Sequence, residues 1–175
     1  LRSTLTPDQQ HRYRALPPGV RSAFESGLLN PSLVHTAMTN PRRFVEPIEA
    51  GAGWQSSAET RLRRCVSQWS SACRRAGAQL TVVIVPDGPY VSEAAAAGMR
   101  AVGYELPASL TSTTLCQQVV IEICGEAGVP VINPVAEFRK AGDSGDYFEL
   151  DGHFTAQGQR RLGEAVARSI WPPAE

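Results

Sequence analysis

Leu80-Thr81-Val82-Val83-Ile84-Val85-Pro86 is the stretch on which the fold turns. Its run of apolar, mostly β-branched side chains does not alternate with polar ones and stops at a proline. A strand buried on both faces, as in a parallel sheet, reads that way. Upstream, Ser56-x-x-Glu59 carries a capping-box signature. Leu62, Cys65, Val66, Trp69, Ala72, Cys73 and Ala76 then follow at helical spacing, and Gly77 supplies a stop. Downstream, the spacing predicts a helix over 112–127, with Leu115, Val119, Val120 and Ile123 inward and Gly128 past its end. Val129–Ile132 reads as a second short strand. A last helix is expected from Thr155 to Ile170, with Leu162, Ala165, Val166, Ser169 and Ile170 on one face. The order helix–strand–helix–strand–helix predicts an α/β fold with a parallel sheet and helices on both faces. Two strands make a thin sheet, so further strands are expected outside these residues.

The chain has 175 residues, the size of one globular domain, and 42% are hydrophobic, enough for a single core. Lys+Arg and Asp+Glu are 17 each, so no basic excess supports a nucleic-acid or anionic-membrane partner. Lys140 is the sole lysine, a bias that reads as GC-rich coding rather than as a site. The longest aliphatic run, Val82–Val85, is far short of a membrane span. No secretory leader is visible. A start at Leu1 rather than Met fits a processed form or a piece of a longer chain.

Cys65, Cys73, Cys116 and Cys124 form no close C-x-x-C pair of the kind zinc or dithiol chemistry uses. Each of the two pairs falls on nearly one helix face. Core thiols are the first reading and inter-helix disulfides the second.

Residues 1–50 differ from the rest: polar, and broken by Pro7, Pro17, Pro18, Pro31, Pro41 and Pro47. Short helices are expected at Pro7–Ala15, capped by Thr6, at Val20–Ser26 and at Pro31–Thr39. The segment is too interrupted to hold its own core and is expected to pack onto something else. It reads as a helical insertion or lid-like segment, and residues 51–175 as the α/β part.

In open α/β sheets, function gathers outside the carboxyl ends of the strands. Pro86-Asp87-Gly88-Pro89-Tyr90 leaves one such end. The chain after Asn133-Pro134 leaves the other and leads to Asp151-Gly152-His153-Phe154-Thr155-Ala156-Gln157-Gly158. There an imidazole stands two residues from a carboxylate, just before a helix. The carboxylate can accept from one ring nitrogen and fix the tautomer, leaving the other free to take a proton. Spacing alone favours a plainer reading, a helix-capping Asp beside a surface His.

The run Tyr147-Phe148-Glu149-Leu150-Asp151-Gly152-His153-Phe154-Thr155-Ala156-Gln157-Gly158-Gln159 resembles the C-terminal block of SGNH hydrolases, the GDSL-type esterases. Val82–Tyr90 and Cys124–Pro134 resemble that family's later strands, so the likeness covers roughly residues 57 to 170. The resemblance implies a three-layer α/β/α sandwich with a parallel, flavodoxin-like sheet, of which this chain would be the C-terminal part. It also implies that Asp151 orients His153 and that His153 is general base toward a serine. The family's usual Asp-x-x-His is Asp-x-His here, a form similar to a branch of polysaccharide O-acyl esterases and transferases. The substrate implied is a small acyl ester, such as an O-acetylated carbohydrate, with no metal or organic cofactor. The family likeness leaves an extracytoplasmic location in a bacterium open.

The family's serine sits in Gly-Asp-Ser after its first strand, and residues 1–56 hold no such element. Gly142-Asp143-Ser144 follows no apolar strand, so Ser144 reads as loop. The nucleophile is expected in a missing segment or a second chain. His11 and His35 lack ligand-spaced partners, and a metal role is not expected for them. Asp87 could line the cleft, but a turn role before Gly-Pro is preferred. Trp54 and Trp69 read as core or interface aromatics. No phosphate loop or dinucleotide fingerprint follows either strand. The leading expectation is therefore an SGNH-type serine esterase or acyltransferase. The rival is a non-catalytic SGNH-like domain that binds a glycan or a protein.

Overall fold

The computed structural model describes residues 5–46 and 51–171, with the side chains of residues 51–56 outside the description. The described chain is α-rich. Its elements are α1 (Pro7–Ala15), α2 (Pro18–Glu25), α3 (Pro31–Thr39), α4 (Gly51–Arg75), β1 (Val82–Val83), α5 (Glu93–Val102), α6 (Leu115–Glu126), β2 (Val131–Ile132), α7 (Val135–Ala141) and α8 (Ala156–Ile170). Short 3₁₀ turns span Gly88–Tyr90 and Ala108–Thr111.

The strands are the expected pair and are parallel, with Val82 opposite Val131 and Val83 opposite Ile132. They are shorter than the apolar runs at 80–85 and 129–132. The ladder extends only as far as Val82 N–H to Pro130 O and Ile84 N–H to Ile132 O, both 2.9 Å. Pro86, Pro130 and Pro134 have no N–H to continue it.

Local chemistry explains most helix bounds. Thr6 and Gln9 close a reciprocal capping box on α1, and the Asn30 side chain accepts from Ser32 N–H at the start of α3. Three expected starts shift. Helix α2 begins at Pro18 rather than Val20, with proline at its first position. No proline interrupts 51–75, so α4 propagates back to Gly51 and Ser56 lies inside it. The helix expected from Ser112 begins at Leu115, because a 3₁₀ turn takes up Ala108–Thr111. Helices α5 and α7 were not expected. Glu93-Ala94-Ala95-Ala96-Ala97 is strongly helix-forming, Ser92 caps it, and Gly103 ends it at φ 108°.

Three apolar clusters hold these elements. Leu62 and Val66 of α4 meet Val119, Val120, Ile123 and Cys124 of α6 over Leu80, Val82, Val129 and Val131. Val135 and Phe138 of α7 pack with Val91, Ile84, Tyr147, Phe154 and Leu162. Helices α1–α3 are joined to α5 by Leu16, Val34 and Met38 against Met99, Val102 and Tyr104. Phe44 fixes the chain after α3 by stacking edge-on to Tyr104 (5.2 Å) and Tyr90 (6.0 Å). Tyr104 hydroxyl donates to Leu33 O at 2.9 Å.

Two readings need correction. Trp69 is 57% exposed, on the outer face of α4, and so is not a core residue; the Trp54 side chain lies outside those described. All four cysteines are free, and only Cys124 is fully buried. Cys65 and Cys73 are half-buried, and Cys116 is exposed because it begins α6 at the surface.

Candidate active site at the carboxyl end of the sheet

The Asp151-Gly152-His153 turn is shaped by its own backbone. Asp151 and Gly152 N–H groups point back to Phe148 O, Phe148 N–H donates to His153 O (2.9 Å), and Tyr147 bridges Phe154. Gly152 adopts φ 70°, a conformation other residues rarely tolerate. A Cβ there would also stand 3.2 Å from Pro89 Cδ and 3.6 Å from Met99 Sδ. Thr155 closes the turn: its Oγ1 accepts from Gly158 N–H as the α8 cap and donates to Gly145 O (2.8 Å). Thr155→Ala is expected to cost about 1 kcal/mol. The check is a lower urea midpoint at unchanged m-value.

This geometry brings the two sequence-predicted residues together. His153 Nδ1 and Asp151 Oδ1 are hydrogen-bonded to each other. The His153 side chain is 71% exposed and that of Asp151 24%, so the imidazole faces solvent while the carboxylate stands behind it. The Asp151 hydrogen bond raises the His153 pKa above the ordinary histidine value; burial opposes this, and the charges of Asp151 and Asp87 add to it. With Nδ1 engaged, Nε2 is the nitrogen left to exchange a proton.

A raised histidine pKa means that the folded state binds the proton more tightly than the unfolded state. The resulting stabilisation is complete below the ordinary histidine value and is lost as pH rises through the raised one. Asp151→Asn removes the main cause, so His153 is expected to titrate at lower pH in that variant. Its stability deficit against wild type should be largest at acid pH and fade above the wild-type His153 value. Histidine NMR titration and urea melts across pH check both.

Asp87 joins the pair from the sheet side. Its carbonyl accepts from Tyr90 N–H in the expected turn, at 3.0 Å. The preferred turn role holds, and its carboxyl also faces the Asp151-His153 turn, the alternative the sequence left open. Surrounding protein raises its pKa, while His153, the Gly88 N–H and Arg43 pull it down. The signal in the sequence was its place at the carboxyl end of β1. Arg43 comes from the chain after α3, so the proline-broken segment contributes charge to this corner.

Ser144 is not brought to His153. Its hydroxyl donates to Asp146 Oδ2 at 2.6 Å, and Asp146, 1% exposed, is ion-paired with Arg161 Nε at 2.9 Å. Neighbouring Asp143 accepts from Ser92 Oγ (2.6 Å) and Ala94 N–H (3.1 Å), pinning the loop to the start of α5. Gly142-Asp143-Ser144 is thus a structural knot. His11 and His35 are exposed on α1 and α3. Among the described residues no three His, Cys, Asp or Glu side chains are grouped to hold a metal. None of the described helices is long and apolar enough to cross a membrane.

A recess of about 220 Å³ adjoins Asp87, lined by Ile84, Val85, Tyr90, Cys116, Val120 and Val135 among others. A larger one, about 800 Å³, lies between β2 and the end of α8 and contains none of Asp87, Asp151 and His153. Comparison of the chain with protein-family models, curated proteins and solved structures gave no match.

Proposed function

We propose that this chain supplies the base and its orienting acid to a serine esterase or O-acyltransferase of SGNH type. The observation that carries the reading is the hydrogen bond from the exposed His153 to Asp151, made through Nδ1 with Nε2 left over. The packing of α4 and α6 on one side of the strands, with α7 and α8 residues gathered in a second cluster, supports an α/β/α sandwich. In this mechanism Nε2 takes the proton of a serine hydroxyl supplied by a segment or chain outside the described residues. The serine oxygen bonds to the ester carbonyl, and the imidazolium, stabilised by Asp151, returns the proton to the departing alcohol. Water or a second alcohol then releases the acyl group, so one difficult step becomes two easier ones. The apolar recess beside Asp87 is small and fits a short acyl chain, such as the acetyl of a carbohydrate ester.

A second reading, a non-catalytic binding domain of the same type, draws on one observation: the Ser144 hydroxyl is spent on Asp146 rather than on His153. A fluorophosphonate probe separates the two. On the complete gene product, the enzyme reading predicts one labelled serine outside 142–144, and loss of label in His153→Ala. No labelling of that product, alone or with its co-purifying chains, contradicts it.

A further inference from the structure

The Asp151-Gly152-His153 turn is held from below as well as by its own backbone. Gly88 N–H donates to Gly152 O at 3.2 Å. A Cβ on Gly88 would come within 2.7 Å of that same oxygen, so the strand-end turn and the histidine turn touch backbone to backbone. On the other side of Gly88, Asp87 directs its carboxyl at the histidine turn: Oδ1 lies 3.7 Å from where a Gly152 Cβ would stand. We propose that Asp87 is a second positioning carboxylate for His153, acting from the end of β1 while Asp151 holds Nδ1.

Two carboxylates then divide the work. Asp151 makes the hydrogen bond that selects the tautomer. Asp87 acts through its charge and through the Gly88–Gly152 contact that sets the height of the turn. Other charged or titratable groups facing this corner are Arg43, from the chain after α3, and the phenols of Tyr90, Tyr104 and Tyr147, the last raised by burial as well. Tyr90 is raised to about 12 by burial and Tyr104 is raised for the same reason, so both stay neutral across the histidine range. Arg43 keeps its charge there and opposes Asp87. Through the histidine range the phenols therefore add no charge, and the His153 imidazole meets the charge of Asp87 as well as that of Asp151.

Calling His153 a base rests on the proposed function, but the test does not use an ester. Histidine side-chain NMR titrations are compared for wild type and Asp87→Asn, with His11 and His35 as internal references. Burial opposes the Asp87 charge, so the isosteric amide is tolerated by the fold. The expected result is that His153 titrates at lower pH in Asp87→Asn than in wild type. Asp87→Glu, which restores a carboxylate, is expected to recover part of the shift. An unchanged His153 titration in folded Asp87→Asn would overturn the proposal. A carboxyl-detected titration of Asp87 in wild type gives a check that needs no variant. Asp87 must show a second inflection at the His153 value, and a single independent step also overturns it. Failure of fluorophosphonate labelling would count against the esterase reading and leave this result standing.

Discussion

In the polypeptide that carries the serine, His153→Ala is expected to lower ester turnover by about 10⁴- to 10⁶-fold. On the proposed mechanism the serine loses, with Nε2, the group that takes its proton, and reverts to an ordinary alcohol. The fall belongs in kcat, with KM little changed, because the ring meets the reacting oxygen rather than the body of the substrate. Above the raised His153 pKa stability should hardly move, since the side chain is 71% exposed, its removal opens no cavity and the stabilisation from its protonated form is already gone. Steady-state kinetics on a short-chain aryl ester, with a thermal melt of the same preparation, separates loss of chemistry from loss of fold. Equal turnover in the two proteins would remove His153 from the mechanism.

The largest expected effect on the fold comes from a single methyl group. Gly98 lies mid-way along α5, and a Cβ there would stand 1.6 Å from Glu149 O and 2.8 Å from Glu149 C. That is backbone, two residues before Asp151, and it has no rotamer with which to yield. Gly98→Ala must push α5 off the 149–150 segment or distort the turn that carries Asp151 and His153. It is expected to cost about 3 kcal/mol despite alanine's better helix propensity. Gly163→Ala in α8 is the matched control, because nothing lies within 4 Å of its added methyl. There propensity alone acts, and a gain of up to about 1 kcal/mol is expected. Urea melts of the two variants should move in opposite directions. Equal shifts would show that α5 does not bear on the histidine turn as described.

Sequence periodicity made some of this molecule legible. The β-branched run at Leu80–Val85 and the shorter one at Val129–Ile132 do mark the two parallel strands, but the expected burial on both faces is corrected: both strands are half-buried and Val85 is 60% exposed. Caps fixed α1, α3 and α8 nearly to the residue, since Thr6, Asn30 and Thr155 each satisfy an orphan N–H. Helix α5 was harder to see. Four consecutive alanines blur its inward face of Ala95, Ala96, Met99 and Val102, and Gly98 reads as a breaker until Glu149 is found against it. The surface position of Trp69 depends on which side of α4 finds a partner, which spacing within one helix does not say.

At the site, Asp151 and His153 were readable because they are two residues apart and their contact is local. Asp87 reaches the same turn from a different element, through the Gly88–Gly152 backbone contact. Only the fold closes that distance. Ser144 shows the converse: a familiar tripeptide at 142–144 whose hydroxyl is committed to the buried Asp146–Arg161 pair.

The most direct test of the base–orienter pair is the ¹⁵N spectrum of the His153 imidazole above its raised pKa. The geometry predicts a neutral ring protonated on Nδ1, with a downfield Nδ1–H that disappears in Asp151→Asn. A neutral ring protonated on Nε2, or an Nδ1–H signal unchanged in Asp151→Asn, would contradict it.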